Sequence, residues 1–461
     1  METSGAFADL VGGPGGAEAG ASADAARVAA RLVRGVTVWR RALDHFIDSL
    51  YDGGAGKLEP TVRDALRMGL YELVYDGTSP YAAVNEAVNA LRGVRPRAAG
   101  LANAVLREAA RRHAKGTLQE LLPPLPQAGP PAALAAALGV RYSMPDWLVV
   151  RWVKRLGAAE AEALLAACNR VPAYGIRAAG PEARASPEAA AAALAALAAE
   201  ASDGIGGGAV IEASMLPGEF LRVSGTLAPL RAALADGRAA LQDEAAALVV
   251  SLLDPRAGDS LADVCAAPGG KALLAASRGA AVTAVDAHAS RLKLLRSAAE
   301  AQGLGASLVA THAADARVFA AAPQRARSFD AVLVDAPCTG LGVLAKRADL
   351  RWRRAESDLP ERAALQAELL AAASALVKPG GRLVYSTCST EPEENERIVD
   401  AFLATAAGGD FQLEPAADVA RADGGPAVPR VALSADGRFL APMPHLTGTD
   451  AAFGARLRRL R

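Results

Sequence analysis

Apolar residues between positions 24 and 116 recur every three or four residues, which is the spacing of one face of an α-helix. Successive stripes comprise Val28, Leu32, Val36, Trp39, Leu43, Ile47 and Leu50, then Val62, Leu66, Leu70 and Leu73, then Val84, Val88 and Leu91, and then Leu101, Val105 and Leu106. Because each apolar stripe needs a partner to cover it, residues 24–116 are predicted to form a compact all-α domain. The stripes indicate core packing and leave function open.

Two compositionally biased stretches flank this helical block. Residues 1–23 are rich in Gly and Ala and are expected to be disordered. Residues 117–140 are rich in Pro, Ala and Leu and are expected to form a linker. A mixed region follows over residues 141–240, and within it residues 183–202 are predicted to form an alanine-dominated helix.

From residue 241 onward the pattern changes to short apolar runs of β type, the first of which leads into a glycine turn and a helix. This pattern predicts a Rossmann-like α/β sheet. In a sheet of this class, chemistry collects beyond the carboxyl ends of the strands. The polar residues at the ends of the runs are therefore the candidate site residues: Cys265, Asp286, Asp315, Asp335, Cys338 and Cys388.

Two of these residues are thiols in matching settings. Cys338 and Cys388 each follow a predicted strand, and Cys338 lies three residues after Asp335. Two thiols at such an edge, one of them beside an acid, suggest covalent catalysis on an electrophilic carbon. The alternative is a pair of buried structural cysteines, because free cysteine is among the most buried residue types.

A glycine turn at residues 265–271 follows the first strand of this half of the chain. Glycines let the backbone approach a ligand, and the N-terminus of the following helix favours negative charge. Asp286 ends the next strand, about 20 residues on, where an acid suits a pair of ribose hydroxyls. Asp315 could hold an adenine amino group. The alternative for each aspartate is a turn or a helix cap.

Three motifs then bring a family into view. Cys-Ala-Ala-Pro-Gly-Gly-Lys at 265–271, Asp-Ala-Pro-Cys-Thr-Gly at 335–340 and Tyr-Ser-Thr-Cys-Ser at 385–389, in this order, resemble the RNA cytosine-5 methyltransferases. Residues 391–395 also fit that family. The resemblance implies S-adenosylmethionine (SAM) as cofactor. It implies SAM binding by Cys265, Ala266, Ala267, Pro268, Gly269, Gly270, Lys271, Asp286, Asp315 and Asp335.

The resemblance also implies catalytic roles. The RNA family uses the cysteine of Thr-Cys as nucleophile, here Cys388, whereas DNA cytosine methyltransferases use that of Pro-Cys, here Cys338. Cys338 would then assist release of the product, and Asp335 would contact ring nitrogen 3 of cytosine. A cysteine that attacks carbon must be a thiolate, and Lys271 is one candidate for the cation that would stabilise it.

Motifs in the helical block point to the same group of enzymes. Residues 66–73, 82–88 and 103–107 resemble the NusB-like RNA-binding domain. A domain of this kind ahead of a methyltransferase is the arrangement of RsmB-type (Sun/Fmu) ribosomal RNA methyltransferases. The resemblance implies a NusB-like domain at 24–116, a small α+β RNA-binding subdomain at 141–240 and a SAM-dependent methyltransferase domain of class I at 241–461.

The implied reaction is methylation of carbon 5 of a cytidine in small-subunit ribosomal RNA. The alternatives are a transfer RNA cytosine-5 methyltransferase and a non-catalytic RNA-binding assembly factor. Residues 448–453, Gly-Thr-Asp-Ala-Ala-Phe, depart from the family's usual Gly-Thr-Asp-Gly-Phe-Phe at the start of the last expected strand.

Composition adds few constraints. The 50 basic and 50 acidic residues balance, which argues against RNA binding driven by total charge. Local basic clusters do occur, and phosphate contact is expected of the one beside Cys338, with a solvated face as the alternative: Lys346, Arg347, Arg351, Arg353 and Arg354, and a second cluster at residues 456–461. Four cysteines make no disulfide framework, and no Cys/His cluster has metal-binding spacing.

No apolar run reaches the ~20 residues of a membrane span, and no signal peptide is evident. We therefore expect a cytoplasmic monomer that binds ribosomal RNA and no membrane. The alternative is a plastid or another organelle, if the N-terminus is incomplete.

Overall fold

The computed structural model describes residues 23–126, 130–202, 209–420 and 427–461. The chain divides into two compact units. Unit 1 contains residues 1–169 and 346–356, and unit 2 contains residues 170–345 and 357–461. Nearly all of the stretch expected to be disordered, residues 1–23, lies outside the described residues.

Unit 1 is helical throughout its described part. Its helices are α1 (Ala23–Leu50), α2 (Pro60–Val74), α3 (Pro80–Val94), α4 (Ala99–Ala114), α5 (Pro131–Arg141), α6 (Asp146–Leu156), α7 (Ala158–Asn169) and a short helix, Leu350–Arg353. Proline stands at the first position of α2 and α3, where its missing N–H costs no hydrogen bond. Helix α5 lies within the stretch that its composition assigned to a linker.

The predicted apolar stripes form the core of unit 1. Leu43, Ile47, Leu66, Leu70 and Leu106 are fully buried in one cluster. The first stripe is covered only from its middle onward, because Val28 is 45 % exposed. The four-residue spacing thus identified the helix correctly, and the packing decides where its apolar face ends.

Arg351, one of the five residues of the basic cluster beside Cys338, is buried and so does not make the phosphate contact expected of it. The side chain is only 1 % exposed. Its guanidinium donates to the carbonyl oxygens of Val38 at 3.3 Å and Cys168 at 3.1 Å, and to Asn169 Oδ1 at 2.7 Å. The indole of the next residue, Trp352, donates to the Thr37 carbonyl at 2.7 Å. Arg351 therefore fastens residues 346–356 into unit 1, because its donors satisfy buried acceptors.

Unit 2 contains two sheets within its described residues. The first is antiparallel, with the strand order β2-β3-β1-β4: β1 (Tyr174–Ala178), β2 (Val210–Glu212), β3 (Phe220–Ser224) and β4 (Ala239–Leu241). Helix α8 (Pro187–Ser202) packs on it through Leu197, beside Ile176 and Val223. A short helix, Arg231–Ala235, precedes β4. This sheet is the small α+β region expected at 141–240, although the helices up to residue 169 belong to unit 1.

The second sheet has seven described strands in the order β10-β11-β9-β8-β5-β6-β7. Its strands are β5 (Ser260–Asp263), β6 (Ala281–Asp286), β7 (Leu308–Ala313), β8 (Phe329–Asp335), β9 (Val377–Thr387), β10 (Phe411–Glu414) and β11 (Phe453–Arg459). Strands β5 to β9 are parallel, and β11 and β10 are antiparallel additions at one side. Despite the altered residues before it, β11 is present and pairs along β9.

Helices cover both faces of the parallel strands. One face packs on α9 (Glu244–Leu253), α10 (Gly270–Ser277) and α11 (Ala289–Ala301), and the other on α12 (Asp358–Ser374) and α13 (Glu396–Leu403). Short helices cover Ala316–Ala320 and Pro444–Thr447. Neighbouring residues such as Leu261 and Ala262 enter opposite core clusters, as the two-residue period of a strand requires. Strands buried on both faces explain the continuous apolar runs in the sequence.

In the described part of the chain, none of the helices combines the length and apolar character needed to cross a membrane.

Candidate active site

The candidate residues meet at one edge of the second sheet. Asp263, Asp286 and Asp335 are the last residues of β5, β6 and β8. In the parallel register Asp335 lies opposite Ser386 of β9, two residues before Cys388. Because adjacent strands are about 4.8 Å apart, the carboxyl ends of these four strands form one continuous edge. The edge is the place where chemistry was expected from the sequence.

The glycine turn leads from β5 into α10. Gly269 has a φ of 117°, and a Cβ there would lie 2.7 Å from Leu295 Cγ, so only glycine fits. Asp286 holds the turn from the neighbouring strand, since its carboxylate accepts from the Ala267 amide at 3.2 Å. It also accepts from the amide of His288 at 2.8 Å. Asp286 therefore organises the turn through these two hydrogen bonds.

Lys271 ties the turn to β8. Its Nζ donates to Asp335 Oδ2 at 2.7 Å, and Ser386 Oγ donates to Asp335 Oδ1 at 2.8 Å. Both carboxylate oxygens of Asp335 are thus held, one from the glycine turn and one from β9. Asp335 is 31 % exposed, so its remaining lone pairs are open to a ligand.

Cys338 and Cys388 are in direct contact, with 3.2 Å between their sulfur atoms. Hydrogen bonding to Cys388, together with burial, raises the pKa of Cys338 well above its usual value. Cys338 is therefore held as the thiol, which is the form that donates a hydrogen bond.

The positive charge of Lys271 reaches the same thiol pair. Burial lowers the pKa of Lys271, but the charge and hydrogen bond of Asp335, together with negative charge at Cys388 and Asp263, raise it overall. Lys271 consequently stays protonated beside both groups. Lys271 as the cation that stabilises a Cys388 thiolate stays a prediction.

Asp315 has a structural task of its own. Its carboxylate accepts from the Arg317 amide at 2.8 Å, which caps the helix Ala316–Ala320, and pairs with the Arg317 guanidinium at 2.6 Å. The helix-cap alternative therefore describes what Asp315 does in the protein alone. Its charge still acts on Cys265, whose pKa is raised by burial and further by Asp263, Asp335, Asp286 and Asp315. Contact of Asp315 with a ligand stays a prediction.

Two residues of this edge were missed in the sequence. Asp263 is buried at the end of β5, where burial and the negative charge of Asp335 raise its pKa to about 8. Like Asp286, it is an aspartate at the end of an apolar run of β type, so the same pattern could have identified it. Gly342 donates its amide to the Cys388 carbonyl at 2.9 Å, and a Cβ there would lie 2.7 Å from that oxygen. The sequence sign of this close approach was the pair of glycines, Gly340 and Gly342, soon after Cys338.

The edge fits SAM, a small molecule with a sulfonium, an ammonium and a carboxylate group. Carboxylates such as Asp286 and Asp335, at the ends of β6 and β8, suit the positive groups. For the carboxylate, Gln242 Nε2 is a buried donor that has no partner within the described residues. Arg177 Nε binds the Oε1 of Gln242 at 3.1 Å, and the side chain lies beside Gly270, the first residue of α10. An orphan donor next to a helix N-terminus is an environment that favours an anion.

Comparison with family models agrees with this geometry. Residues 250–458 match the model described as 16S rRNA methyltransferase RsmB/F. Residues 4–111 match the model of the NusB family. The two matches cover the methyltransferase-like sheet and the helices α1 to α4.

Individual relatives extend over most of the chain. A probable ribosomal RNA small subunit methyltransferase B of Synechocystis is 33 % identical over 395 residues, 82 % of this chain and 80 % of that protein. A putative methyltransferase of Mycobacterium tuberculosis is 34 % identical and covers 99 % of this chain and 93 % of its own length. A probable ribosomal RNA small subunit methyltransferase B of Bacillus subtilis is 32 % identical, with coverages of 93 % and 89 %.

Solved structures show the same fold. The crystal structure of PH0851 matches with a TM-score of 0.68 at 26 % identity, covering 95 % of this chain and 91 % of that chain. A methyltransferase homologue from Pyrococcus horikoshii matches with a TM-score of 0.55 at 23 % identity, covering 71 % of this chain and 99 % of that chain.

Proposed function

This chain belongs to the 16S rRNA methyltransferase RsmB/F family and is a SAM-dependent RNA methyltransferase, and from that premise we propose a more specific reaction. In this reaction the enzyme methylates carbon 5 of a cytidine in small-subunit ribosomal RNA, and a covalent bond forms between Cys388 and carbon 6 of the same base. The observation that carries the proposal is the contact of Cys338 with Cys388 beside the Lys271–Asp335 pair. A cysteine that only packs in the core would have no need of a second thiol in contact or of a charged pair nearby.

Attack falls to Cys388. Carbon 5 of cytosine is a poor nucleophile until a thiolate adds to carbon 6 and its electrons move toward the ring. The Cys338 thiol and the Lys271 ammonium stabilise that thiolate. Asp335, fixed by Lys271 and Ser386, contacts ring nitrogen 3 and orients the ring, and the Lys271 ammonium beside it offsets the negative charge that develops as the sulfur–carbon bond forms. SAM, when bound, supplies the methyl group that carbon 5 takes up.

Release falls to Cys338. After transfer, carbon 5 still carries a proton, and its loss restores the double bond to carbon 6 and expels the Cys388 sulfur. Cys338 lies 3.2 Å from that sulfur, which places it near carbon 6 and the adjoining carbon 5. Cys338, held as a thiol by its raised pKa, gives its proton to the departing Cys388 sulfur and takes up the proton that leaves carbon 5, so it is a thiol before and after release.

The RNA must present an unpaired base. Pairing and stacking bury carbons 5 and 6, so the cytidine is single-stranded or flipped out of its helix when it reaches Cys388. We assign capture of the RNA to the helical block that matches the NusB family. Its basic side chains, such as Arg107 and Arg111 on α4, are exposed and can contact phosphates.

The two cysteine variants test this assignment. Cys388→Ala is expected to abolish methylation without any covalent complex. Cys338→Ala still attacks and transfers the methyl group, so a protein–RNA adduct that survives denaturing electrophoresis accumulates. Wild type and both variants are incubated with SAM and with small-subunit ribosomal RNA from cells lacking the enzyme, and transfer RNA serves as the parallel substrate. Adduct in the Cys388→Ala lane would overturn the choice of nucleophile, and adduct on transfer RNA alone would overturn the substrate.

A further inference from the structure

Glu394 binds the residue that follows each of the two cysteines. It is fully buried in a short turn, Pro392–Glu394, after β9. Its Oε1 accepts from the Thr339 amide at 2.8 Å, and its Oε2 accepts from the Thr339 hydroxyl at 2.5 Å. The hydroxyl of Ser389 donates to the same Oε2. One carboxylate therefore joins the loop after β8 to the loop after β9.

A third contact holds the other side of Cys338. Gln366 of α12 donates its Nε2 to Glu394 Oε1 at 3.0 Å and to the carbonyl of Pro337 at 3.0 Å. Cys338 is thus held through its preceding residue and its following residue, and both ties lead to Glu394. The side chain of Gln366 is fully buried as well, so these bonds form out of contact with water.

The two cysteines depend on this network to different degrees. Cys388 directly follows β9, whose last residue, Thr387, pairs with Phe453 of β11. Cys338 lies in an irregular loop, three residues beyond the end of β8. Without Glu394, the sheet would still place Cys388, whereas Thr339 would lose its carboxylate acceptor and Gln366, which holds Pro337, would lose one of its two acceptors.

We propose that Glu394 is a positioning residue that holds Cys338 against Cys388 and thereby sets the rate of product release. The inference rests on the proposed function, because it needs Cys338 to act after methyl transfer. Glu394 touches neither sulfur itself, and it acts through Thr339, Ser389 and Gln366. When Glu394 is lost, attack should continue because it needs only Cys388, whereas release should slow because it needs both sulfurs in contact.

Glu394→Gln tests the proposal with the least change in shape. An amide cannot accept at both positions, so donors of Thr339 and Ser389 lose their acceptor. Turnover is expected to fall by about 100-fold, the effect of a small misplacement of a reacting group, while the affinity for SAM changes less than about twofold. The decisive readout is the adduct: it should accumulate in the Glu394→Gln lane as it does with Cys338→Ala.

Glu393→Gln is the matched control, because Glu393 is the preceding residue and pairs with Arg397 at 3.1 Å. It should turn over RNA as wild type does and trap none. If Glu394→Gln does not fold, Gln366→Met and Thr339→Val weaken the same network from its other members and should each trap adduct.

Including Cys338→Ala on the same gel distinguishes failure of the positioning role from failure of the proposed reaction. If Cys338→Ala traps RNA but a folded Glu394→Gln that binds SAM does not, the positioning role is wrong. The same holds if Gln366→Met and Thr339→Val both trap none. If Cys338→Ala itself traps none, the proposed reaction fails instead.

Discussion

Lys271 and Asp335 form an ion pair, with 2.7 Å between Nζ and Oδ2, that joins the glycine turn to the end of β8. The pair connects the part of the edge that fits SAM with the part that carries the thiols. In the proposed reaction Lys271 would act in both cofactor binding and attack, and Asp335 is oriented by the turn that would hold the cofactor.

Replacing Lys271 by methionine is expected to lower the reactivity of Cys388. The substitution keeps the length of the side chain but removes the positive charge near the thiolate. Alkylation of Cys388 by iodoacetamide, followed for each cysteine by mass spectrometry, should slow by about tenfold, the effect of roughly 1.4 kcal/mol. Lys293→Met, on the exposed side of α11, is the control and should leave the rate unchanged. An unaltered rate in Lys271→Met would remove Lys271 from the thiol site.

Asp286→Ala should weaken SAM binding by about 10- to 100-fold, because hydrogen bonds to a charged group are worth roughly 1.5–3 kcal/mol. Part of this loss comes from the glycine turn, since the Ala267 amide loses its acceptor. Isothermal titration of the purified variant measures the dissociation constant directly. Asp400→Ala, an exposed aspartate on α13, should bind SAM normally. Equal affinities for the two variants would exclude Asp286 from the SAM site.

Asp263 predicts a pH dependence of stability. Its pKa rises from the usual 3.8 to about 8 in the folded protein because burial and Asp335 oppose its charge. The folded state then holds a proton that the unfolded state has lost, so this group makes stability fall as pH rises from about 4 to 8. The Tm of the protein without SAM should therefore drop between pH 6 and pH 9.

Asp263→Asn removes the titrating proton and should reduce that drop by at least about 3 °C, given the usual change in Tm per kcal/mol. Asp236→Asn, at an exposed carboxylate, is the control and should follow wild type. A variant whose Tm falls with pH as steeply as that of wild type would contradict the raised pKa.

The contact between the two thiols predicts reversible inactivation by hydrogen peroxide. A peroxide converts one thiolate to a sulfenic acid, and the neighbouring thiol then displaces water to form a disulfide. Two of the four free thiols should disappear while activity is lost, and dithiothreitol should restore both. Cys338→Ala, which lacks the partner, should lose its Cys388 thiol without forming an intramolecular disulfide. Peptide mapping that links any other pair of cysteines would count against the measured contact.

Arg351→Met should destabilise the protein by about 2–4 kcal/mol, because buried carbonyl groups lose the charged donor that satisfies them. Burial also lowers the pKa of Arg351 to about 10, which still leaves it protonated at neutral pH. Urea unfolding monitored by tryptophan fluorescence measures the change. Arg353→Met, two residues away and 51 % exposed, should stay within about 0.5 kcal/mol of wild type. Similar urea midpoints for both variants would show that the buried hydrogen bonds of Arg351 do not stabilise the fold.

The sequence was informative wherever a local pattern decides structure. Apolar runs ending in Asp286 and Asp335 identified strand ends, since a buried parallel strand must be apolar along its whole length. The helical spacing around Leu43 and Leu66 identified the core of unit 1 for the same kind of reason. The motif order then indicated the family, which the comparisons confirmed.

What the sequence left out depends on contacts between distant positions. Glu394 was visible only as part of a motif, because its partners Thr339 and Gln366 lie 55 and 28 residues away. Arg351 looked like a phosphate ligand, since nothing in its own neighbourhood shows the carbonyl groups of Val38 and Cys168 that surround it. Burial turns a charged residue from a surface group into a structural one, and burial is decided by the whole fold.

Because residues 346–356 belong to unit 1, a growing polypeptide cannot complete that unit when residue 169 leaves the ribosome. The segment that carries Arg351 and Trp352 emerges only after residues 170–345 have been synthesised. Unit 1 therefore cannot finish folding until residues 346–356 have been synthesised, although domains generally fold in the order in which they are made. A nascent chain that stops short of residue 346 is thus left with both units unfinished.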